Sequence, residues 1–472
     1  MRARPAGSSP IRPRGRWLSA ALVGAALILP AGAQALTLWQ AYQAALGSDP
    51  VFASARAGYT AGLERLPQAR ANLLPWVTAG GSATYTDTRT RFTNELPRRN
   101  THNDAYNYQL SLSQPLFDWT SWQTYEAAKL GVTLTELQLQ VAYQDLLLRL
   151  SQAYFDILAA QDALTALEAE QSAIAEQLEA AKRNFEIGTA TITDTYEAQA
   201  RYDLIQAQLL QAENTLRVRR DSLEKIIGQS AGNLAELPPG TPVPPSVPAR
   251  VEPWIAQAET ENLGVVQAQV ATAVAGRQIE IARAGHLPEV SLVGSYGYAD
   301  GRYRPEAGLA ASGISDGRQR SRSGTIGVQV AIPIYTGGYV SSRVTETVAR
   351  EQQARYDYEN ARREAVRGTR EAFLGVNTGQ AQIRALEAAE ESSRRALQAN
   401  ITGYEVGVRI NLDVLNAQQQ LFATQRDLAR ARYETLMAGL RLKAAAGQLT
   451  ETDLEALNRL LRPVPVAGAG RP

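Results

Sequence analysis

Val77-Thr78-Ala79-Gly80-Gly81-Ser82-Ala83-Thr84-Tyr85-Thr86 follows Pro75-Trp76 and alternates residue by residue. Apolar or small side chains take the odd positions, and mostly polar ones take the even positions. Period two puts the two sets on opposite faces of a β-strand. Three further runs share the pattern. Tyr106, Tyr108, Leu110 and Leu112 alternate with Asn107, Gln109, Ser111 and Ser113. Val290, Leu292, Gly294, Tyr296 and Tyr298 form the third run, and Ile326, Val328, Val330 and Ile332 the fourth. Strands are predicted over about 75–87, 104–115, 288–300 and 322–334. Each is about the length of a tilted membrane-spanning strand, ~9–11 residues. The connections 87–104 and 300–322 are charged and contain glycine, so they read as solvent loops.

Strands in lipid must close on themselves, because an open edge leaves backbone groups unpaired. Four cannot close, since even small barrels need about eight. Spanning a membrane therefore requires oligomerisation, and three copies supply a twelve-stranded barrel. A water-soluble four-stranded sheet is the alternative that periodicity leaves open.

Outside these strands, the long tracts between Pro115 and Pro238 and between Pro333 and Pro463 hold no proline. Proline removes a backbone donor and clashes with the preceding turn, so its absence marks uninterrupted helix. Helices are predicted over 117–187, 190–228, 338–406 and 410–447. The first runs about 100 Å at ~1.5 Å per residue, far more than a bilayer. Leu146, Ala153, Ala160, Leu167 and Ile174 recur every seven residues, interlocked with Leu150, Ile157, Leu164 and Leu178. This spacing makes a coiled-coil seam. Ala372, Val376, Ile383, Leu386 and Leu397 keep it in part. The return helices are shorter, so the segments 38–74 and 253–287 are expected to pair with the remaining length.

The chain is a duplicated half. Ala69-Arg70-Ala71-Asn72-Leu73-Leu74-Pro75 matches Ala282-Arg283-Ala284-Gly285-His286-Leu287-Pro288. Phe185-Glu186-Ile187-Gly188 matches Tyr404-Glu405-Val406-Gly407, Asp194 matches Asp413, and Gly228-Gln229 matches Gly447-Gln448. The repeats are placed at 36–237 and 251–461, joined by a proline-rich linker at 238–250, with a tail at 462–472. Residues 1–35 read as a cleaved signal peptide. Five arginines precede the apolar run from Trp17 to Leu29, and Ala33-Gln34-Ala35 is a small-x-small cleavage site. Such a leader implies export.

The 472 residues include 48 Lys+Arg, 47 Asp+Glu, two histidines and no cysteine. Near-zero charge argues against nucleic acid as a partner. Without cysteine there is no thiolate zinc site, disulfide scaffold or cysteine nucleophile. No Ser/His/Asp constellation or nucleotide-binding glycine loop is visible, and Gly337-Gly338 marks a strand-to-helix corner. The expectation is no enzyme, no catalytic residue, no metal and no cofactor. His286 reads as a polar boundary residue, and His102 as a loop residue without a role. Tyr85, Tyr106, Tyr296 and Tyr298 read as an aromatic girdle at the membrane interface.

At this point the residues resemble the TolC family of bacterial outer-membrane efflux and secretion channels. The resemblance rests on Leu38-Trp39-Gln40-Ala41-Tyr42, Gly285-His286-Leu287-Pro288 and Ile332-Pro333-Ile334-Tyr335-Thr336-Gly337-Gly338. It also rests on Gly188 through Asp194 and on Tyr404-Glu405-Val406-Gly407 through Asp413-Val414-Leu415. It covers about 36–461. The long C-terminal tail of some members is missing. So is the lipidated cysteine of the drug-efflux branch, and that second absence places the chain nearer the non-lipidated TolC branch.

The resemblance implies a mixed α and β fold. Long coiled-coil helices form a trimeric α-helical barrel, and four strands per chain contribute to a 12-stranded outer-membrane β-barrel. It implies a homotrimer in outer-membrane lipid, a tunnel into the periplasm, and two partners. These are a periplasmic adaptor (membrane fusion protein) and an inner-membrane ABC or RND-type transporter. The function implied is an exit duct for multidrug efflux, type I protein secretion or both. The alternative is a periplasmic coiled-coil adaptor or scaffold without a pore.

The resemblance also implies a gate. Asp413 matches the aspartate lining the periplasmic constriction, and three copies of it form an acidic ring of the kind that selects cations. The family's second acidic position is Asn416 here, which implies a weaker cation preference. Tyr404, Arg409, Thr193 and Asp194 match residues holding the tip closed, with Arg409 paired to Asp194. A plainer reading of Asp194 and Asp413 is an acid in a first helical turn, favourable to the helix dipole. Gly188, Gly407 and Phe185 mark the turns where the adaptor docks.

Overall fold

A computed structural model describes residues 35–91, 99–305 and 317–462. The expected leader, except Ala35, and the tail beyond Arg462 lie outside the described residues. Ala35 itself is buried.

The first half opens with α1 (Leu38–Ser48), α2 (Pro50–Leu63) and α3 (Arg65–Ala71). Next come β1 (Trp76–Thr90), β2 (Arg99–Phe117), α4 (Trp119–Glu186) and α5 (Ile192–Ile227). The second half repeats the order with α6 (Val251–Glu261), α7 (Leu263–Ala284), β3 (Glu289–Pro305), β4 (Gly317–Ala331), α8 (Tyr339–Glu405) and α9 (Asn411–Ala445). A short α10 (Glu451–Asn458) ends it.

The segment 38–71 is not one helix. Asp49 interrupts it and caps α2, its carboxylate accepting the Phe52 N–H at 2.8 Å, with Pro50 at the first helical position. Burial pushes the Asp49 carboxyl up. Hydrogen bonds from Arg149, at 3.0 Å, and from Phe52 N–H outweigh that and hold it below the ordinary value.

The strands form one antiparallel sheet in the order β1-β2-β3-β4. Val77 faces Leu112, Leu112 faces Gly294, and Gly294 faces Ile326. Apolar positions therefore fall in rows on one face. The strands run further outward than alternation predicted, to Thr90 and Pro305 and from Arg99 and Gly317. Charged residues that read as solvent loop are cross-strand partners instead. Arg318 Nε donates to Asp300 at 2.8 Å, and Arg304 lies 3.4 Å from Asp104. His102 is likewise a strand residue, with its Nδ1 3.2 Å from the Tyr85 hydroxyl. At the other end β4 stops at Ala331, short of the expected 334, because Pro333 has no N–H for a ladder.

Helices α4 and α8, with 68 and 67 residues, each run about 100 Å. Below the middle of the chain α5 lies along α4 and α9 along α8, and α4 also packs on α9. The predicted seam is the packed one: Leu167, Ile174 and Leu178 meet Ala198, Ile205 and Leu209. Towards the sheet α2 and α3 flank α4, while α7 lies against both α4 and α8. At Gly62 a Cβ would come within 2.4 Å of the Thr135 side chain, so only glycine allows α2 this close to α4.

The largest core sits at mid-length, where Leu38, Leu146, Leu150, Tyr154, Leu223 and Ile227 are almost fully buried. Tyr154 donates to the carbonyls of Leu36 and Ala235, both at 2.9 Å. Among the described residues no helix is long and apolar enough to cross a membrane.

Candidate gate at the helical tips

Each long helix ends in a turn toward its return helix, and the two turns have the same backbone. Gly188 at φ +80° and Gly407 at φ +75° adopt the left-handed conformation that ends a helix. Thr189 N–H donates to Asn184 C=O at 2.8 Å, and Val408 N–H to Gly403 C=O at 2.9 Å. The inner bonds repeat as well, from Gly188 N–H to Phe185 and from Gly407 N–H to Tyr404, both at 3.0 Å. Ile187, Val406, Val408 and Ile410 stand exposed around the turns, as does Phe185.

The side chains diverge. Thr191 caps α5 and forms a reciprocal capping box with Asp194. The Asp194 carboxylate accepts Thr191 N–H at 2.9 Å and its hydroxyl at 2.8 Å. This box satisfies donors that a helix start leaves unpaired. Ile410 holds the equivalent position before α9 and provides no side-chain cap. Asp413 is thereby released and lies 3.6 Å from Arg409, one turn away.

The expected Arg409–Asp194 pair is therefore not formed within this chain. Asp194 is engaged by its own cap, and Arg409 turns to Asp413. Gly403 makes room for Arg409, since a Cβ there would sit 2.7 Å from the arginine Cγ.

Tyr404 accepts a hydrogen bond from Asn184 Nδ2 at 3.2 Å, which links the two turns. Thr193 is exposed and makes no side-chain hydrogen bond among the described residues. Asn416 accepts from Arg201 Nη2 at 2.8 Å, while Arg201 Nη1 reaches Gln419 at 2.6 Å. The neutral Asn416, though exposed, thus accepts from a cation.

Asn411 carries a further link between the tips. It is fully buried, hydrogen-bonds Gln177, and donates to the Asp194 carbonyl at 3.4 Å. Higher up, Arg426 binds the buried Glu170 at 2.8 Å and ties α9 to α4. Tyr433 donates to Asp162 at 2.8 Å, where burial raises the Asp162 carboxyl above its usual range. Asn184, Arg201 and Asn411 match no identical residue in the other repeat. Their signal is a mismatch between halves: Asn184 aligns with Gly403, and Asn411 with Ile192.

At the opposite end, Tyr85, Tyr106, Tyr296 and Tyr298 share the apolar face of the sheet, and Tyr108 joins them by stacking on Tyr298. Among the described residues no group of three or more His, Asp or Glu is placed to hold a metal ion.

Comparison with known proteins gives concordant matches. The family model described as "Outer membrane efflux protein" matches residues 41–229 and 254–448, one segment per repeat. Outer membrane protein TolC of Vibrio cholerae is 32% identical over 443 residues, covering 93% of this chain and 97% of that protein. The alkaline protease secretion protein AprF of Pseudomonas aeruginosa is 32% identical over 449 residues, covering 93% and 89%. Among solved structures, the outer membrane protein VceC of Vibrio cholerae superposes with a TM-score of 0.71 at 21% identity, covering 87% of this chain and 96% of that one.

Proposed function

The chain belongs to the outer membrane efflux protein family, and from that premise we propose that it is a passive exit duct of the outer membrane. Three copies close their sheets into a twelve-stranded barrel, and their helices form a tunnel reaching into the periplasm. The observation that carries this reading is the sheet itself. It has one continuous apolar face and two open edges, β1 and β4. Edges in lipid are untenable, and joining β4 of one copy to β1 of the next removes them.

The duct handles small molecules, secreted protein or both. TolC-named and protease-secretion relatives match it to equal degree. A periplasmic adaptor docks at the exposed apolar tips around Gly188, Gly407 and Phe185, and couples the duct to an inner-membrane ABC or RND-type transporter. Asp413 lines the closed constriction, with Arg409, Tyr404, Asp194, Thr193 and Asn416 around it. Residues 1–35 direct export and are removed. The mature chain, without five arginines, has a net charge of −4.

Fractionation tests this reading first. The protein is expected in the outer membrane, as a trimer on cross-linking, and conducting in planar bilayers. Recovery as a soluble periplasmic protein without conductance would point to the adaptor or scaffold instead.

A further inference from the structure

The apolar face of the sheet ends on a slanted line. Its last residue is Tyr85 before Asp87 on β1, Tyr106 before Asp104 on β2, Tyr298 before Asp300 on β3, and Gly324 before Arg322 on β4. In the register Tyr85 faces Asp104, Tyr106 faces Asp300, and Tyr298 faces Arg322. The border therefore shifts by one same-face row at every strand. Strands tilted in a closed barrel step a level border along in the same sense at every strand. From Val77 to Tyr85, or from Val290 to Tyr298, is about 27 Å along the strand at ~3.4 Å per residue. Tilting brings this to about 20 Å, near the apolar band of roughly 25 Å expected between aromatic girdles.

Beyond the border the same face turns basic. Arg318, Arg320 and Arg322 alternate along β4, and Arg302 and Arg304 along β3, with Arg302 facing Arg318. Two aspartates lie among these five arginines. Asp300 binds Arg318 and lies 3.6 Å from Arg320, and Asp104 lies 3.4 Å from Arg304. The Arg322 guanidinium sits 5.9 Å from the Tyr298 ring centre. The Arg318, Arg320 and Arg304 side chains keep about half of their surface free, at 48%, 57% and 49%. The opposite face at this height carries the neutral Asn103, Gln319, Ser321 and Ser323. The positive surplus thus faces lipid, not the pore.

We propose that this arginine belt binds the phosphates of a lipid whose headgroup carries more than one, seated in the outer leaflet with its acyl chains against Tyr296, Ile326 and Val328. Guanidinium forks match phosphate oxygens in bidentate geometry. Their height, just past the tyrosines, is that of a headgroup whose chains lie beside the apolar band. The neutral luminal face argues against a soluble anion drawn into the pore. The inference rests on the exit-duct reading, with the hairpin ends outward.

The full-length protein in detergent is offered lipid A (a bis-phosphorylated glycolipid), dephosphorylated lipid A, or inorganic phosphate. Bound lipid is counted by native mass spectrometry. Lipid A is expected to be retained and the other two not. Arg318→Gln/Arg320→Gln/Arg322→Gln is expected to weaken retention about a hundredfold, given the usual gain per arginine near an anionic surface. Arg302→Gln/Arg304→Gln serves as a second variant with a smaller loss.

Equal retention of the dephosphorylated lipid, competition by inorganic phosphate, or undiminished binding in both variants would each overturn the proposal. Should the triple variant not fold, the wild-type comparison of the two lipids still decides. Conductance in bilayers free of phosphorylated glycolipid separates the two readings. A conducting protein indifferent to lipid A removes the belt alone, whereas a protein that never conducts removes the duct.

Discussion

The two helical tips share a backbone and put the same aspartate to different uses. Both turns close on a left-handed glycine and repeat the same hydrogen bonds at equivalent positions. At the first tip Asp194 is half of a capping box, and its carboxylate is occupied by Thr191. At the second, Ile410 replaces the threonine, and Asp413 keeps only a pair with an exposed arginine at 3.6 Å. One cap residue separates an acid engaged by its own helix cap from one held only by an arginine side chain. Duplication supplied two copies of a helix start, each with an acid in its first turn, and only the first uses that acid in a capping box.

Charge neutralisation tests this contrast most severely. Asp413→Asn is expected to abolish nearly all cation preference, read as the reversal potential across a planar bilayer in a salt gradient. Asp194→Asn is expected to leave that potential unchanged and to cost about 0.5 kcal/mol of stability, because the Thr191 cap remains and only the negative charge at the helix start is lost. Equal shifts in reversal potential from both variants would erase the distinction between the tips.

Next in size is the closed state. Arg409→Ser together with Tyr404→Phe removes the Arg409–Asp413 pair and the acceptor of the Asn184 hydrogen bond. Single-channel conductance is expected to rise. An unchanged conductance would show that these contacts do not hold the tip closed.

A smaller effect comes from converting one tip into the other. Ile410→Thr installs the missing cap, so Asp413 can complete a box as Asp194 does. Stability is expected to increase by about 1 kcal/mol, seen as a higher melting temperature. Cation preference is expected to fall part of the way, because a carboxylate accepting two hydrogen bonds from the cap is less open to ions. A gain in stability with full cation preference would mean that Asp413 selects ions while capped.

The elements themselves were legible in the sequence for a plain reason. Period-two alternation and long proline-free tracts are strong signals, and the α4 seam falls where its seven-residue spacing puts it. The outer strand ends were not legible. Asp104, Asp300, Arg304 and Arg318 look like loop residues until a cross-strand partner is known. The candidate gate was half legible. Matching the repeats picks out Asp194 and Asp413 as a pair but hides how they differ. The difference lies at Thr191 and Ile410, where the repeats disagree. Asn184 and Asn411, which tie one tip to the other, also sit at disagreements. In this duplicated chain the matches carry the fold, and the mismatches carry the contacts that set the two tips apart.

The smallest effect is expected at Asn416, and it refines the same rule. Asn416 aligns with Glu197 of the first half, so again one half keeps an acid and the other does not. Asn416→Asp would add a second carboxylate one turn from Asp413, and would strengthen the proposed acidic ring if the side chain faced open water. Arg201 already donates to this position at 2.8 Å, however, and its second nitrogen is held by Gln419. The new carboxylate is thus expected to form a charge-assisted pair and add little field at the axis. Reversal potentials of Asn416→Asp should stay close to wild type. Adding Arg201→Gln to the same variant should strengthen cation preference clearly. A strong shift from Asn416→Asp alone would mean that Arg201 does not neutralise the site.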